Sequence, residues 1–322
     1  MAEIPGSIRK LRLQTAEARR ELRDRIARGQ ASLAPKIRKA ARDTGNIRRQ
    51  GFREAFYKTI NSHYDLLGGE LDVWGKELTG RLALDWHRRA VFEIRRQTKS
   101  PVNMAVVKFD RRRVERYWRI VHPDNAQHLA GQFTQGLASN DILALRNATI
   151  DTFRQAQIEG WTANQIQKNI QSSWDAIAGN LDAFRFIDAR GRAWSNANYL
   201  RMLTRTIAAR VSRESYLDTI VENGDDLVRI QPSGDSCMIC DRWVGLIISI
   251  SGKNPNYPSY RDSLEAGMWH PNCDCFIKRV DETVDAKIIE EQADTKNARN
   301  WNNLDQVQEY RESLGLPLGK VA

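Results

Sequence analysis

Cys237-Met-Ile-Cys240 and, after a gap of 29 residues, His270-Pro-Asn-Cys273-Asp-Cys275 hold all four cysteines of a 322-residue chain. A CxxC turn presents two thiolates on one side of a tight loop, and a structural zinc takes four sulfur or nitrogen ligands as a tetrahedron at about 2.0–2.3 Å. His270 and Cys273 repeat the two-residue gap of a metal knuckle. Cys273 and Cys275, one residue apart, converge only from an extended segment. Five donors for four places leave one over, and spacing does not choose among Cys237, Cys240, His270, Cys273 and Cys275. The expected cofactor is therefore Zn, bound by four of the five.

Other chemistry for the same residues fits less well. The first thirty residues have no apolar core of a signal peptide, since Ile8, Leu11, Leu13, Leu22 and Ile26 are separated by charges. The thiols are thus expected in a reducing compartment, which disfavours two disulfides. A CxxC redox centre leaves His270, Cys273 and Cys275 unexplained. A catalytic zinc lacks the HExxH pattern and the deaminase order of HxE before PCxxC. Three or four thiolates close the coordination sphere, so the expectation is a structural metal whose binding energy becomes folding energy for a loop-rich segment.

Outward from the cysteines, Leu227–Gln231 alternates as a strand does, and Pro232 to Pro271 is rich in Gly, Pro, Ser and Asn. Upstream, the periodicity predicts the longest helix from about Arg192 to Glu222, stopped by Asn223-Gly224. A capping box at Thr162 and Gln165 opens a helix from Ala163 to Trp174, and further helices are expected from Pro123 to Gly136 and from Ser139 to Gly160. Val102–Phe109 reads as a strand. Residues 53–98 read as helical, broken near Gly68-Gly69 and Gly80, and residues 285–314 as a closing helix. His63, His87, His122 and His128 are scattered among helical segments, in surface or capping roles. The predicted fold class is mainly α: an elongated helical body with a small irregular α+β zinc-pinned module near the C-terminus. The expected divisions are a basic helical arm (1–50), a helical N-terminal region (51–138), further helices (139–225), the metal-binding module (226–282), and a C-terminal helix and tail (283–322).

The net charge of +10 is unevenly placed, because residues 1–50 hold fourteen Lys and Arg against five acids. Such a segment attracts polyanions by counterion release. The candidate nucleic-acid-binding residues are Arg9, Lys10, Arg12, Arg19, Arg20, Arg23, Lys36, Arg38, Lys39, Arg48 and Arg49. Ser7 is expected to cap the first helix and Gly29 to interrupt it. Ile8, Leu11, Thr15, Ala18, Leu22 and Ile26 form a narrow apolar seam suited to a partner. No stretch is long and apolar enough to span a membrane. No Ser-His-Asp set, phosphate-cradling glycine loop or paired carboxylates stand out, which argues against an enzyme.

These residues resemble the phage Mu protein F-like and minor capsid families of head morphogenesis proteins. The resemblance rests on Gly234-Asp235-Ser236-Cys237-Met-Ile-Cys240, on Ser249-Ile250-Ser251-Gly252-Lys253 with Tyr257-Pro258, and on Gly267-Met-Trp-His270-Pro271-Asn272-Cys273-Asp274-Cys275. Arg205-Thr206 in a long helix and Gly224 before a short strand are similar to the family's pattern as well. Ile207 departs from it, where glutamate is usual, and so does Asp274, where the HPNCRC ending has arginine. The match covers roughly residues 140–280. It implies a non-enzymatic minor head protein inside the virion capsid near the portal, exposed to the host cytoplasm during assembly. It would assist head assembly, genome packaging or DNA delivery, with the portal or major capsid protein and DNA as partners. The alternatives are an intracellular zinc-dependent nucleic-acid-binding protein and a CxxC thiol-redox enzyme.

Overall fold

The structure, a computed structural model, describes residues 6–33, 50–98, 111–121, 134–162, 185–187, 193–231 and 237–280, with positions 35–37, 39, 165, 168–170, 172–173, 176 and 309. It is mainly helical with a small antiparallel sheet. The helices are α1 (Gly6–Ala31), α2 (Gln50–Thr98), α3 (Arg111–Val121), α4 (Thr134–Glu159), α5 (Asn196–Glu222), α6 (Met238–Asp241) and α7 (Tyr260–Glu265). The strands are β1 (Arg185–Ile187), β2 (Ala193–Ser195), β3 (Leu227–Gln231), β4 (Ile247–Ser249) and β5 (Phe276–Arg279). The chain forms two compact units: Met1–Glu17, Lys76–Val121 and Met202–Ala322 make the first, Ala18–Gly75 and His122–Arg201 the second. The predicted strand at 102–109, the helix at 285–314 apart from position 309, and most of the helix from Pro123 lie outside the described residues.

Several helix boundaries differ from expectation, each for a local reason. Helix α1 begins at Gly6, so Ser7 lies within it, and it runs through Gly29 to Ala31. A Cβ at Gly29 would stand 2.8 Å from Leu67 Cδ1, so the glycine serves a close helix approach. Helix α2 continues for 49 residues through both predicted breaks. A helical glycine costs about 1 kcal/mol, and the buried Leu67, Leu71, Trp74, Leu78, Leu82 and Trp86 along α2 outweigh it. The longest described helix is thus α2. Helix α5 starts at Asn196 because Ala193–Ser195 pairs with Arg185–Ile187, and the Ser195 hydroxyl accepts the Asn198 amide at 3.3 Å. It stops as expected, at Gly224 with φ +87°. The Thr162–Gln165 capping box is present, with Thr162 N donating to Gln165 Oε1 at 2.7 Å.

In the first unit, small residues let α2 and α5 pack closely: Ala83 and Ala90 on one, Ala208, Ser212 and Ser215 on the other, all buried. Ser215 donates to the Ala83 carbonyl at 2.6 Å. His87, expected near the surface, is 1% exposed, with Nδ1 at 2.8 Å from Thr219 Oγ1. Thr219 gives its hydroxyl proton to the Ser215 carbonyl, so His87 Nδ1 carries the donated hydrogen. Helix α3 is joined to α5 by Arg113–Glu222, Arg116–Asp218 and Tyr117–Asp218. In the second unit His63 is also buried, at 4% exposure; Lys36 Nζ donates to its Nδ1 at 3.0 Å, and burial followed by Lys36 lowers its pKa.

The sheet of the first unit has the order β4-β3-β5, all antiparallel. Val228 and Ile230 point into the core from β3, as the alternation requires. The pairing of Gln231 with Phe276 sets the start of β5 beside the end of β3. Both cysteine stretches are thereby brought to one end of the sheet, since Cys275 precedes β5 and the chain leaving β3 leads into Cys237.

The apolar seam of α1 is not offered to a partner. Ile8, Leu11, Ala18, Leu22 and Ile26 are at most 1% exposed, so the chain's own packing consumes it. No described helix is long and apolar enough to cross a membrane.

Candidate metal centre

Cys237 caps α6 at its N-terminus with extended backbone (φ −75°, ψ 165°), and its Sγ accepts the Cys240 amide at 3.5 Å. A CxxC knuckle arises this way because the same amide geometry that caps a helical turn turns both sulfurs to one side. The second half is a tight turn with two left-handed non-glycine residues, Trp269 (φ 64°) and Asn272 (φ 72°). Cys273 N donates to the His270 carbonyl at 3.1 Å, closing it.

All five predicted ligands are described, and the fold brings them together. The donor atoms of Cys237, Cys240 and His270 lie within 4.8 Å of one another, and so do those of Cys240, Cys273 and Cys275. Cys240 belongs to both groups. Its Sγ is 3.4 Å from His270 Nε2 and 3.4 Å from Cys273 Sγ, and Cys237 Sγ is 2.9 Å from His270 Nε2. Around zinc two thiolates stand about 3.8 Å apart and a thiolate and an imidazole nitrogen about 3.5 Å, so the Cys240–His270 contact already matches, while the Cys240–Cys273 and Cys237–His270 contacts have to open by about 0.4 and 0.6 Å. None of the four cysteines is joined in a disulfide.

The tautomer of His270 suits the same role. Its Nδ1 is 2.8 Å from the Pro271 carbonyl, which only accepts, so Nδ1 carries the proton and Nε2 presents a lone pair to the sulfurs. Burial opposes charge on His270, but the Pro271 carbonyl and the Cys273 and Cys237 sulfurs outweigh it and raise its pKa. Cys237 is lowered: burial works against the thiolate, and the Cys240 amide and His270 more than offset it. Cys273 is lowered by hydrogen bonds from Cys240 and Cys275, with Arg213 adding to it, while Cys240 is pushed up by Cys273, Cys275 and burial. These surroundings favour the thiolate at Cys237 and Cys273 and the thiol at Cys240, and a set of four sulfurs and one imidazole fits the ligand chemistry of a closed zinc site.

The residues that support the cluster were not among the predicted site residues. Arg213 is 3% exposed, its guanidinium 4.4 Å from the Trp269 ring, and its Nε donates to Tyr260 Oη at 2.8 Å. Tyr260 in turn donates to Glu214 at 2.7 Å. Burial opposes the Arg213 charge, yet Tyr260, Glu214 and Cys273 outweigh it and its pKa rises. Thr206 Oγ1 accepts the Asn272 amide at 3.1 Å, and Arg205 pairs with both Asp274 oxygens. Arg205 and Thr206 carried the family resemblance upstream, and here they grip the ligand turn. Ile207, at the departing position, is fully buried.

The neighbouring loop has its own explanation. Ser249 donates to Asp226 at 2.5 Å and accepts the Gly252 amide at 3.0 Å, and Ser251 N donates to Asp226 at 2.7 Å. Gly252 has φ +70°, and a Cβ there would meet Ser259 Cβ at 3.2 Å. Ser259 and Asp262 form a capping box on α7. Serine, glycine and the following residues are therefore loop-forming.

Of the candidate nucleic-acid residues, Arg9, Arg20, Arg23, Lys36 and Lys39 are exposed, and Lys10, Arg12 and Arg19 are half-buried. Lys10 pairs with Asp85 at 3.4 Å, and Arg12 with Asp274 at 3.0 Å. Arg38, Arg48 and Arg49 lie outside the described residues.

Fold and site together define a mainly helical protein whose small sheet ends in a sulfur-rich donor cluster. The family model of phage minor capsid protein 2 matches residues 134–313, more than half the chain and including every ligand candidate. The chain belongs to that family, which makes it a structural protein of the phage capsid and virion. Neither a curated protein nor a solved structure matches it.

Proposed function

We propose that this is a non-enzymatic minor head protein, present in few copies inside the capsid near the portal, and assisting assembly, packaging or delivery of DNA. The observation that carries the reading is the coincidence of the family match with a cluster of four cysteines and one histidine whose donor atoms could hold a metal ion. Four of Cys237, Cys240, His270, Cys273 and Cys275 supply the ligands of one structural zinc, which when bound ties the end of the β4-β3-β5 sheet to the turn on α5. Three thiolates and a neutral imidazole around zinc carry one net negative charge, for which the buried Arg213 is a suitable counter-charge. Quantitative mass spectrometry of purified particles is expected to find the chain at low copy number per head, together with equimolar zinc. Absence from particles, or abundance comparable to the major shell protein, overturns the reading.

The DNA contact is assigned to the exposed Arg9, Arg20, Arg23, Lys36 and Lys39, supported by the local charge excess and their exposure. Deleting residues 1–50 is a poor test, because it also removes buried core residues such as Ile8 and Leu22. Neutralising the five as glutamines preserves the seam. The slope of log K against log salt is then expected to fall by about 0.9 for each phosphate that is no longer neutralised; an unchanged slope removes the DNA contact from this segment.

A further inference from the structure

We infer that the ligand turn anchors the first helix, so that occupancy of the metal centre sets how firmly residues 6–17 are held; the inference rests on the metal reading proposed above. Asp274 is the meeting point. It stands between Cys273 and Cys275, its side chain only 4% exposed. Arg12 of α1 donates through Nε to Asp274 Oδ2 at 3.0 Å, and Arg205 of α5 pairs with both carboxylate oxygens. Arg205 also reaches Asn272 Oδ1 at 3.3 Å. The carboxylate is thus bracketed by ligand candidates on either side in its own segment and by arginines from two helices of the same unit.

The turn that carries Asp274 is one the backbone does not favour by itself. Trp269 and Asn272 both occupy the left-handed region, which for non-glycine residues persists only where surrounding contacts impose it. Ligation of His270 and of a cysteine beside Asp274 supplies such a constraint on both sides of Asn272. Without it, the grip of Thr206 on the Asn272 amide and of Arg205 on Asp274 remains. A displaced Asp274 breaks the Arg12–Asp274 pair, and a pair with one buried member is worth more than a surface pair.

Other contacts keep α1 from coming away altogether. Ile8 and Leu11 are buried, Gln14 donates to Asp85 at 2.8 Å, and Trp86 Nε1 donates to Gln14 at 3.0 Å. Loss of metal therefore loosens residues 6–17 and does not free them. Coupling of this kind is reciprocal: the factor by which zinc tightens the helix is the factor by which Arg12 tightens zinc.

The test uses the full chain, purified under reduction, with zinc content measured. Hydrogen exchange over residues 6–17 is compared before and after chelation in wild type, Arg12→Gln and Glu17→Gln, the last at a position on the same helix outside the Asp274 cluster. Chelation is expected to speed exchange there about 10-fold in wild type and in Glu17→Gln, and much less in Arg12→Gln. In competition with a chromophoric chelator, Arg12→Gln is expected to bind zinc about 10-fold more weakly, and Glu17→Gln as wild type does. One zinc per chain with neither effect overturns the anchorage and leaves the metal centre standing. A chain that binds no zinc overturns both. If chelation unfolds the whole unit, the Arg12→Gln affinity decides, and an unchanged affinity overturns the anchorage.

Discussion

Cys240→Ser is expected to abolish zinc binding and with it the folded state of the β4-β3-β5 end of the first unit. Cys240 is the donor common to both three-residue groups, 1% exposed, with sulfur and nitrogen neighbours at 3.4 Å. A serine hydroxyl is shorter, is not a thiolate at neutral pH, and would be buried among sulfurs that bond it weakly. Structural zinc supplies on the order of 10–16 kcal/mol of apparent binding energy that folding uses, against a total domain stability of about 5–15 kcal/mol. Loss of one ligand from four need not remove all of that, yet a fraction of it suffices to unfold the segment. Elemental analysis should find zinc in wild type and none in Cys240→Ser, with loss of near-ultraviolet signal from Trp243 and Trp269, both buried beside the knuckle. Cys275→Ser makes the comparison informative. Cys275 belongs to one group only, so retained zinc there identifies Cys275 as the donor left over. Full zinc occupancy in Cys240→Ser would sink the proposed centre.

What the chain alone reveals, and what it does not, follows from where each signal resides. The strand at Leu227–Gln231, the stop at Gly224 and the Thr162 capping box are written in neighbouring residues, and the structure contains all three. The five donors are legible for the same reason: CxxC and HxxC are local patterns. Helix continuity through Gly29, Gly69 and Gly80 is not, because a glycine's local cost is decided by distant packing, such as Leu67 against Gly29. The seam of α1 is apolar as its periodicity requires, but periodicity cannot say whether the complementary surface lies in the same chain. Arg213 and Asp274 escape a reading of the sequence as site residues because a single charged residue carries no pattern. The one available signal is the position of Asp274, an acid placed between two ligand candidates.

Trp86→Ala is expected to destabilise the first unit by about 3–5 kcal/mol, the usual cost of truncating a buried aromatic residue. Trp86 is fully buried, its ring centroid 4.3 Å from that of Phe276, which Tyr216 meets edge-on at 5.6 Å. Its Nε1 donates to Gln14 Oε1 at 3.0 Å, so truncation also strips Gln14 of a partner on α1. Trp86→Phe keeps most of the ring and loses the donor, and should cost about 1–2 kcal/mol. The larger consequence concerns cooperativity. Phe276 follows Cys275 directly and pairs through β5 with Gln231 of β3, so the cavity left by Trp86 opens against the residue next to a ligand. Were the cysteine segment an independent knuckle, the helices would melt at lower temperature while zinc stayed bound. If core and centre are one folding unit, zinc release, followed with a chromophoric chelator, should track the loss of helical circular dichroism, and both midpoints should fall together in Trp86→Ala. A helical midpoint that falls while zinc release stays at the wild-type temperature would separate them. It would also confine the metal to holding its own loop, with no part in stabilising α2 and α5.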